Sequence, residues 1–314
     1  MRSLALLAIA TVLVTGCSTA EPASVETGAL SGSVGVLHVE RSATDGTGRT
    51  TLRAAFARYQ GIDGDSVLRL LGSGSAAELG SCALVDPVDT LGAEPADVEL
   101  LVELLDVGAL HVAVADTEAR LSPRTFPDLA SVLAGVFYAG VYTGDTYTGD
   151  AYTGDAYTGN TYTGDAALAM PEPEVDEYRF LAEGGVEVGA FEVIVPAPAA
   201  VAGLELVGAD GTFAGLDGRL TEITRAGALT LQWDGDDPRD LVEIELASGV
   251  QTLTCVAHDE GSFRIAAEDV ALLDASADAR LLVRRVRVSP FDAAGIDLAF
   301  ARVAAVRSFP LAVR

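Results

Sequence analysis

The sequence predicts an all-β protein built from two tandem β-sandwiches. Three observations carry that expectation: apolar and polar residues alternate at period two, glycine-containing turn signals separate the alternating runs, and helical periodicity is scarce. A strand turns successive side chains to opposite faces, so each alternating run implies one buried face and one wet face.

The elements follow in chain order. Leu110, Val112 and Val114 alternate with polar or small neighbours, as do Phe191, Val193 and Val195. Downstream, Leu229, Leu231 and Trp233 alternate with Thr230, Gln232 and Asp234, and residues 242–246 read Val-Glu-Ile-Glu-Leu. Val286 and Val288 alternate with Arg285 and Arg287, which predicts valines inward and arginines outward. Asp63-Gly64, Asp210-Gly211 and Asp217-Gly218 read as turns between such runs. Residues 66–71 and 267–273 predict one or two helical turns each, and 98–105 fits either a strand or a helix.

The amino terminus reads as an address. Arg2 supplies a short positive start and residues 4–14 an apolar core of signal-peptide length, too short for a spanning helix of about 20 apolar residues. The run breaks at Val14-Thr15-Gly16-Cys17, which resembles the bacterial lipobox: a branched apolar residue, two small residues, then the cysteine that is lipidated. Cleavage is expected between Gly16 and Cys17, with residues 1–16 removed and the lipid placed on Cys17. Ser18 in the following position is, by resemblance to well-studied lipoproteins, compatible with outer-membrane sorting. An ordinary signal peptide with an incidental cysteine is the alternative.

Removal of the leader leaves 314 − 16 = 298 residues, more than one small domain usually holds. The organisation this predicts is a tether at 17–28, a first sandwich at 29–198 and a second at 199–314. All 20 basic residues are arginine and 46 are acidic, so the chain without Arg2 carries 19 − 46 = −27. Such a charge repels phosphate backbones and anionic headgroups, which argues against nucleic-acid binding and leaves membrane attachment to the lipid. Solubility in salty surroundings and a GC-rich genome account equally for acidity without lysine.

Apart from Cys17, Cys82 and Cys255 form an even pair in a compartment where disulfides persist. At 173 residues apart they are expected in different domains, and a disulfide between them competes with the reading that both are free core cysteines. No CxxC is present to suggest thiol redox chemistry.

Between the halves, five tandem pentapeptides begin at Tyr142, Tyr147, Tyr152, Tyr157 and Tyr162. An odd period cannot keep tyrosines on one face of a strand, and a glycine every fifth residue favours recurring turns, so 142–166 is expected to be an exposed loop. Its tyrosines are candidates for a surface contact, since tyrosine gives amphipathic contact area at low entropic cost. Asp145, Asp150, Asp155 and Asp165 could serve calcium only if the segment coiled tightly enough to converge 6–8 oxygens. Residues 167–176, with Pro171 and Pro173 among glutamates, read as a stiff acidic linker.

Catalytic motifs are absent. His38, His111 and His258 stand apart with no metal-ligand spacing, and no nucleophile elbow, phosphate loop or dinucleotide fingerprint follows a strand. His258-Asp259-Glu260 before Gly261 reads as a polar hairpin turn. The densest carboxylate cluster, Asp234, Asp236, Asp237 and Asp240, could bind calcium at a sandwich edge, though Gly235 and Pro238 also suit a plain loop. No cofactor and no enzymatic activity are expected.

Several local motifs occur together: Gly80-Ser81-Cys82, residues 105–110, Gly184-Gly185 with 188–191, residues 229–233 with Asp237-Pro238, Cys255, residues 261–265 and Gly295-Ile296-Asp297. In this order they resemble uncharacterised Ig-like β-sandwich proteins found in secreted and lipid-anchored form in myxobacteria and acidobacteria. The resemblance covers most of the mature chain and implies tandem Ig-like or fibronectin-like sandwiches, with no catalytic residues to carry over. Ala266 stands where the group usually has proline, and the tyrosine repeat looks like an insertion. A true immunoglobulin Cys…Trp…Cys core is disfavoured because Trp233 lies 151 residues after Cys82.

The expectation is a non-enzymatic envelope protein, lipid-anchored to the outer membrane, that binds or scaffolds an envelope protein or glycan. A carbohydrate-binding or hydrolase-accessory module is the alternative, and it would need an exposed aromatic platform or a carboxylate pair across a cleft.

Overall fold

The structure, a computed structural model, describes residues 31–44, 47–75, 77–85, 101–114, 117–129, 133–143, 146–148, 175–208, 213–216, 220–235 and 237–314. The cleavage site, the tether, most of the repeat and the acidic prolines of the linker therefore lie outside the described residues.

The fold is all-β. The first half contains β1 (Ser31–Thr44), β2 (Thr47–Gln60), α1 (Gly64–Leu70), β3 (Ser81–Val85), β4 (Leu101–Leu104), β5 (Leu110–Val114), β6 (Thr117–Arg120), β7 (Ser122–Leu129), β8 (Leu133–Thr143), β9 (Thr146–Thr148), β10 (Glu177–Ala182) and β11 (Phe191–Pro196). The second contains β12 (Glu205–Val207), β13 (Phe213–Gly215), β14 (Thr221–Ile223), β15 (Leu229–Gln232), β16 (Leu241–Ser248), β17 (Gln251–His258), β18 (Ser262–Ile265), α2 (Ala267–Val270), β19 (Ser276–Pro290) and β20 (Leu298–Val313). The ambiguous stretch 98–105 contributes a strand at 101–104. Asp63, expected in a turn between strands, instead caps α1: its carboxylate accepts from Ser66 N at 2.9 Å, satisfying one orphan donor of the first turn.

One large sheet runs β17-β16-β19-β20-β1-β2-β4-β8-β7, with β14 added beside β20 and β9 beside β8. Its centre is the parallel pairing of β1 with β20, Val34 to Ser42 against Leu298 to Val306, which joins the two ends of the described chain. Two four-stranded sheets, β11-β10-β5-β6 and β13-β12-β15-β18, cover different stretches of one face of it. Under the first lie Leu37, Phe56, Val112, Phe180, Ala301 and Val303, and under the second Leu231, Ile244, Leu253, Leu281, Phe309 and Leu311. On the opposite face α1 covers Val34, Val36 and Ala57. Burying an aliphatic or aromatic side chain of this size contributes roughly 1.5–3 kcal/mol, so each core stabilises its own layer pair.

The same face of β20 serves both cores. Ala301 and Val303 belong to the first and Phe309, Leu311 and Val313 to the second, two residues apart in phase as a strand requires. Between them the face becomes polar. Arg285, Ala305 and Arg41 form one cross-strand row on β19, β20 and β1, with Arg307 beside it. Their guanidiniums donate to the crossing segment between the two covering sheets: Arg41 to Pro198 O at 3.4 Å, Arg285 to Ala199 O and Ala200 O at 3.3 Å, Arg307 to Val201 O at 3.2 Å. Carbonyls outside a strand ladder still need donors, and a row of arginines supplies them.

The division expected at residue 198 falls on this seam, but segments cross it. Ala293, Ala301 and Val303, from the stretch assigned to the second domain, complete the first core. Cys82, from the stretch assigned to the first, packs against the second core. A strand-pairing partner is chosen by packing, not by proximity in sequence.

Candidate functional site

Cys82 and Cys255 are disulfide-bonded, with S–S 2.06 Å and Cα–Cα 4.0 Å. The expectation that they belong to different domains is corrected: β3 leaves the first half of the chain to lie beside β17. Gly80 N donates to Val256 O at 2.8 Å, and Leu79 makes an isolated parallel bridge with Val256.

The seam ends in a charged cluster built by the 234–240 loop, the β17–β18 turn and β19. Here the alternation of β19 is the reverse of that expected: Arg285 and Arg287 point to the inner face, while Val288 is 46% exposed on the other. The arginines can turn inward because their charge is met. Arg285 Nε lies 2.9 Å from Asp259 Oδ2, and both side chains are almost fully buried. Trp233 Nε1 donates to Asp259 Oδ1 at 2.6 Å. Asp259 is thus more than the polar turn residue its sequence context suggests; it is the acceptor around which the loop closes.

Arg287 donates to Asp240 at 2.6 and 2.9 Å and to Asp237 at 2.8 Å, and Arg239 Nε reaches Asp237 at 3.0 Å. The hydrogen bonds from Arg239, reinforced by Arg287, hold the Asp237 carboxyl well below the usual carboxylate range. Burial pushes the Asp240 carboxyl up, and the Arg287 pair only partly opposes it. Of the calcium candidates, then, Asp237 and Asp240 converge, but on a guanidinium; Asp234 is exposed and contributes its backbone oxygen to Arg285, and Asp236 lies outside the described residues. Among the described residues no group of three or more His, Cys, Asp or Glu is placed to hold a metal ion.

A second polar network occupies the opposite face of the large sheet. Arg302 on β20 donates to His38 Nε2 at 2.8 Å and to the Glu243 carboxylate, while Arg284 pairs with Glu245 at 2.7 Å and Glu40 at 3.8 Å. Because Arg302 is a donor, His38 Nε2 must accept, which places the imidazole proton on Nδ1. Burial first, then Arg302, Arg53 and Arg284, lower the His38 pKa well below its ordinary value of 6.5. Beside the network, Val286, Ala304 and Val306 form a small apolar cluster. The period-two glutamates of β16 signalled this face in the sequence, but not that arginines from β19 and β20 would neutralise it.

Of the first two pentapeptides, residues 142–143 and 146–148 are described. β9 pairs antiparallel with β8, Tyr142 opposite Tyr147 and Thr143 opposite Thr146, so this part of the expected loop is strand. The odd-period argument applies within a single strand; in this hairpin the register sets Tyr142 opposite Tyr147. Tyr152, Tyr157 and Tyr162 lie outside the described residues, as do Gly16 and Cys17.

No protein-family model and no curated protein matches the chain. Among solved structures it is similar to the Fcho1 Mu homology domain of Danio rerio with bound Eps15 peptide, at 9% identity and a TM-score of 0.21, covering 90% of this chain and 97% of that one. A likeness this low bears on neither the fold nor the function.

Proposed function

We propose that this protein is a non-enzymatic cell-envelope lipoprotein, anchored through Cys17 and displaying tandem Ig-like sandwiches for binding or scaffolding. The observation that carries the reading is the Cys82–Cys255 disulfide in a chain whose leader ends in a lipobox-like Val14-Thr15-Gly16-Cys17. A disulfide within the folded body fits an oxidising compartment, and the leader supplies a route there. The charged clusters support a structural use of the polar residues: Asp237 and Asp240 of the 234–240 loop and Glu243 and Glu245 of β16 are committed to arginines rather than aimed at a cleft. Trp233, buried with its indole nitrogen on Asp259, is not available as a stacking platform for a sugar.

Intact mass of the protein extracted from membranes tests the reading. A chain beginning at Cys17 with a diacyl or triacyl increment, lost in Cys17→Ala, is the expected result; an unlipidated soluble chain overturns it. A polysaccharide-binding screen of the same material, expected to be negative, tests the exclusion of a carbohydrate module.

A further inference from the structure

The disulfide holds a segment that the rest of the fold holds weakly. After α1 the chain leaves the first core, reaches across to β17, and returns to the large sheet at β4. Over 77–85 this excursion buries little: Ala77 is the one apolar residue fully buried, whereas Leu79 is 51% and Leu84 38% exposed. Cys255, by contrast, is completely buried in the second core, and Cys82 is the partly buried partner packed on it. Among the described residues β17 is the terminal strand of the large sheet, and the excursion meets its edge, whose N–H and C=O groups are the kind that a sheet leaves unpaired.

We infer that residues 77–85 form a redox-dependent strap: the Cys82–Cys255 bond keeps them on β17, and its reduction releases them and bares the β17 edge. The reductant is a dithiol. One of its thiolates attacks the sulfur of the partly buried Cys82, and Cys255 departs as a thiolate that takes up a proton. The second thiol then attacks the reductant's own sulfur in the mixed disulfide, freeing Cys82 as a thiol and closing the reductant's disulfide. Two electrons and two protons pass from the dithiol to the protein. Besides the bond, the segment is held by the pairing at Leu79 and Gly80 and by the run of β3 beside β17, and its half-exposed side chains bury too little apolar surface to hold it against its regained chain entropy.

Hydrogen exchange on the complete mature chain tests the strap, comparing oxidised protein, protein treated with dithiothreitol and Cys82→Ser/Cys255→Ser. The expected result is a loss of protection of about tenfold or more at 79–85 and at the outward amides of β17, with β19, β20 and β1 unchanged. Unchanged protection on reduction would show that noncovalent contacts hold the segment and would overturn the inference. Loss of protection through the whole second core would overturn it too, by making the bond a staple of the core. The double variant separates loss of the bond from any effect of the reductant. The assay uses the protein without its lipid, so failure of the strap and failure of the anchoring proposal are read independently.

Discussion

Asp259→Ala removes one side chain on which the seam end of the second core depends. Asp259 accepts from Trp233 Nε1 at 2.6 Å, faces Arg285 at 2.9 Å and receives Asp237 N at 3.3 Å, with its side chain and that of Arg285 0% and 2% exposed. Truncation leaves the guanidinium buried with only backbone carbonyls and the indole N–H without an acceptor. Breaking a buried pair by removing one partner costs roughly 3–5 kcal/mol, and an orphaned buried donor costs roughly 1–3 kcal/mol more, the two overlapping because both groups relax together. We expect a loss of about 4 kcal/mol.

The assay is urea unfolding followed by fluorescence of Trp233, the one tryptophan of the chain, which sits at the perturbed site. Arg285→Met and the double variant complete a cycle. Replacing both charges removes the orphaned guanidinium, so the double variant should recover about 2 kcal/mol relative to additivity. A loss below about 1 kcal/mol for Asp259→Ala, with an additive cycle, would refute the claim that the buried pair organises this end of the fold.

Two further outcomes follow from the same geometry. His38 has a folded pKa depressed below 6.5, so the unfolded chain binds the proton more readily; its contribution is fully present above 6.5 and is lost as pH falls from 6.5 toward the folded pKa. His38→Gln should be less acid-sensitive than the wild type in that window by at most about 1.4 kcal/mol per pH unit, read as urea midpoints at several pH values, and parallel profiles would exclude His38 as the cause. Gly295 has φ +90°, and a Cβ there would lie 2.1 Å from Glu187 O, so Gly295→Ala should cost about 2–4 kcal/mol. A thermal midpoint equal to the wild type's would show that the 187–188 turn shifts freely.

Much of the fold was legible locally. The alternation at 110–114, 229–232 and 242–246 became β5, β15 and β16 because side-chain period is a property of the strand itself. The two short helical stretches were found for the same reason. Reading the polar positions was harder. Val286 and Arg285 alternate equally well with either one inward, and the choice went to arginine because Asp259 and the 199–200 carbonyls wait at that depth. Likewise His38 looked solitary, its partner Arg302 being 264 residues away.

By itself the sequence determined which segments extend, and it supplied the leader and charge from which an envelope address is proposed. Only the tertiary structure decided that β1 pairs with β20, that one large sheet underlies two cores, that Cys82 meets Cys255, and that Asp237 and Asp240 face guanidiniums. The physical reason is one of range. Strand period and turn chemistry are set by neighbouring residues, whereas pairing, charge compensation and disulfide formation require segments distant in sequence to be buried together, and packing alone selects them.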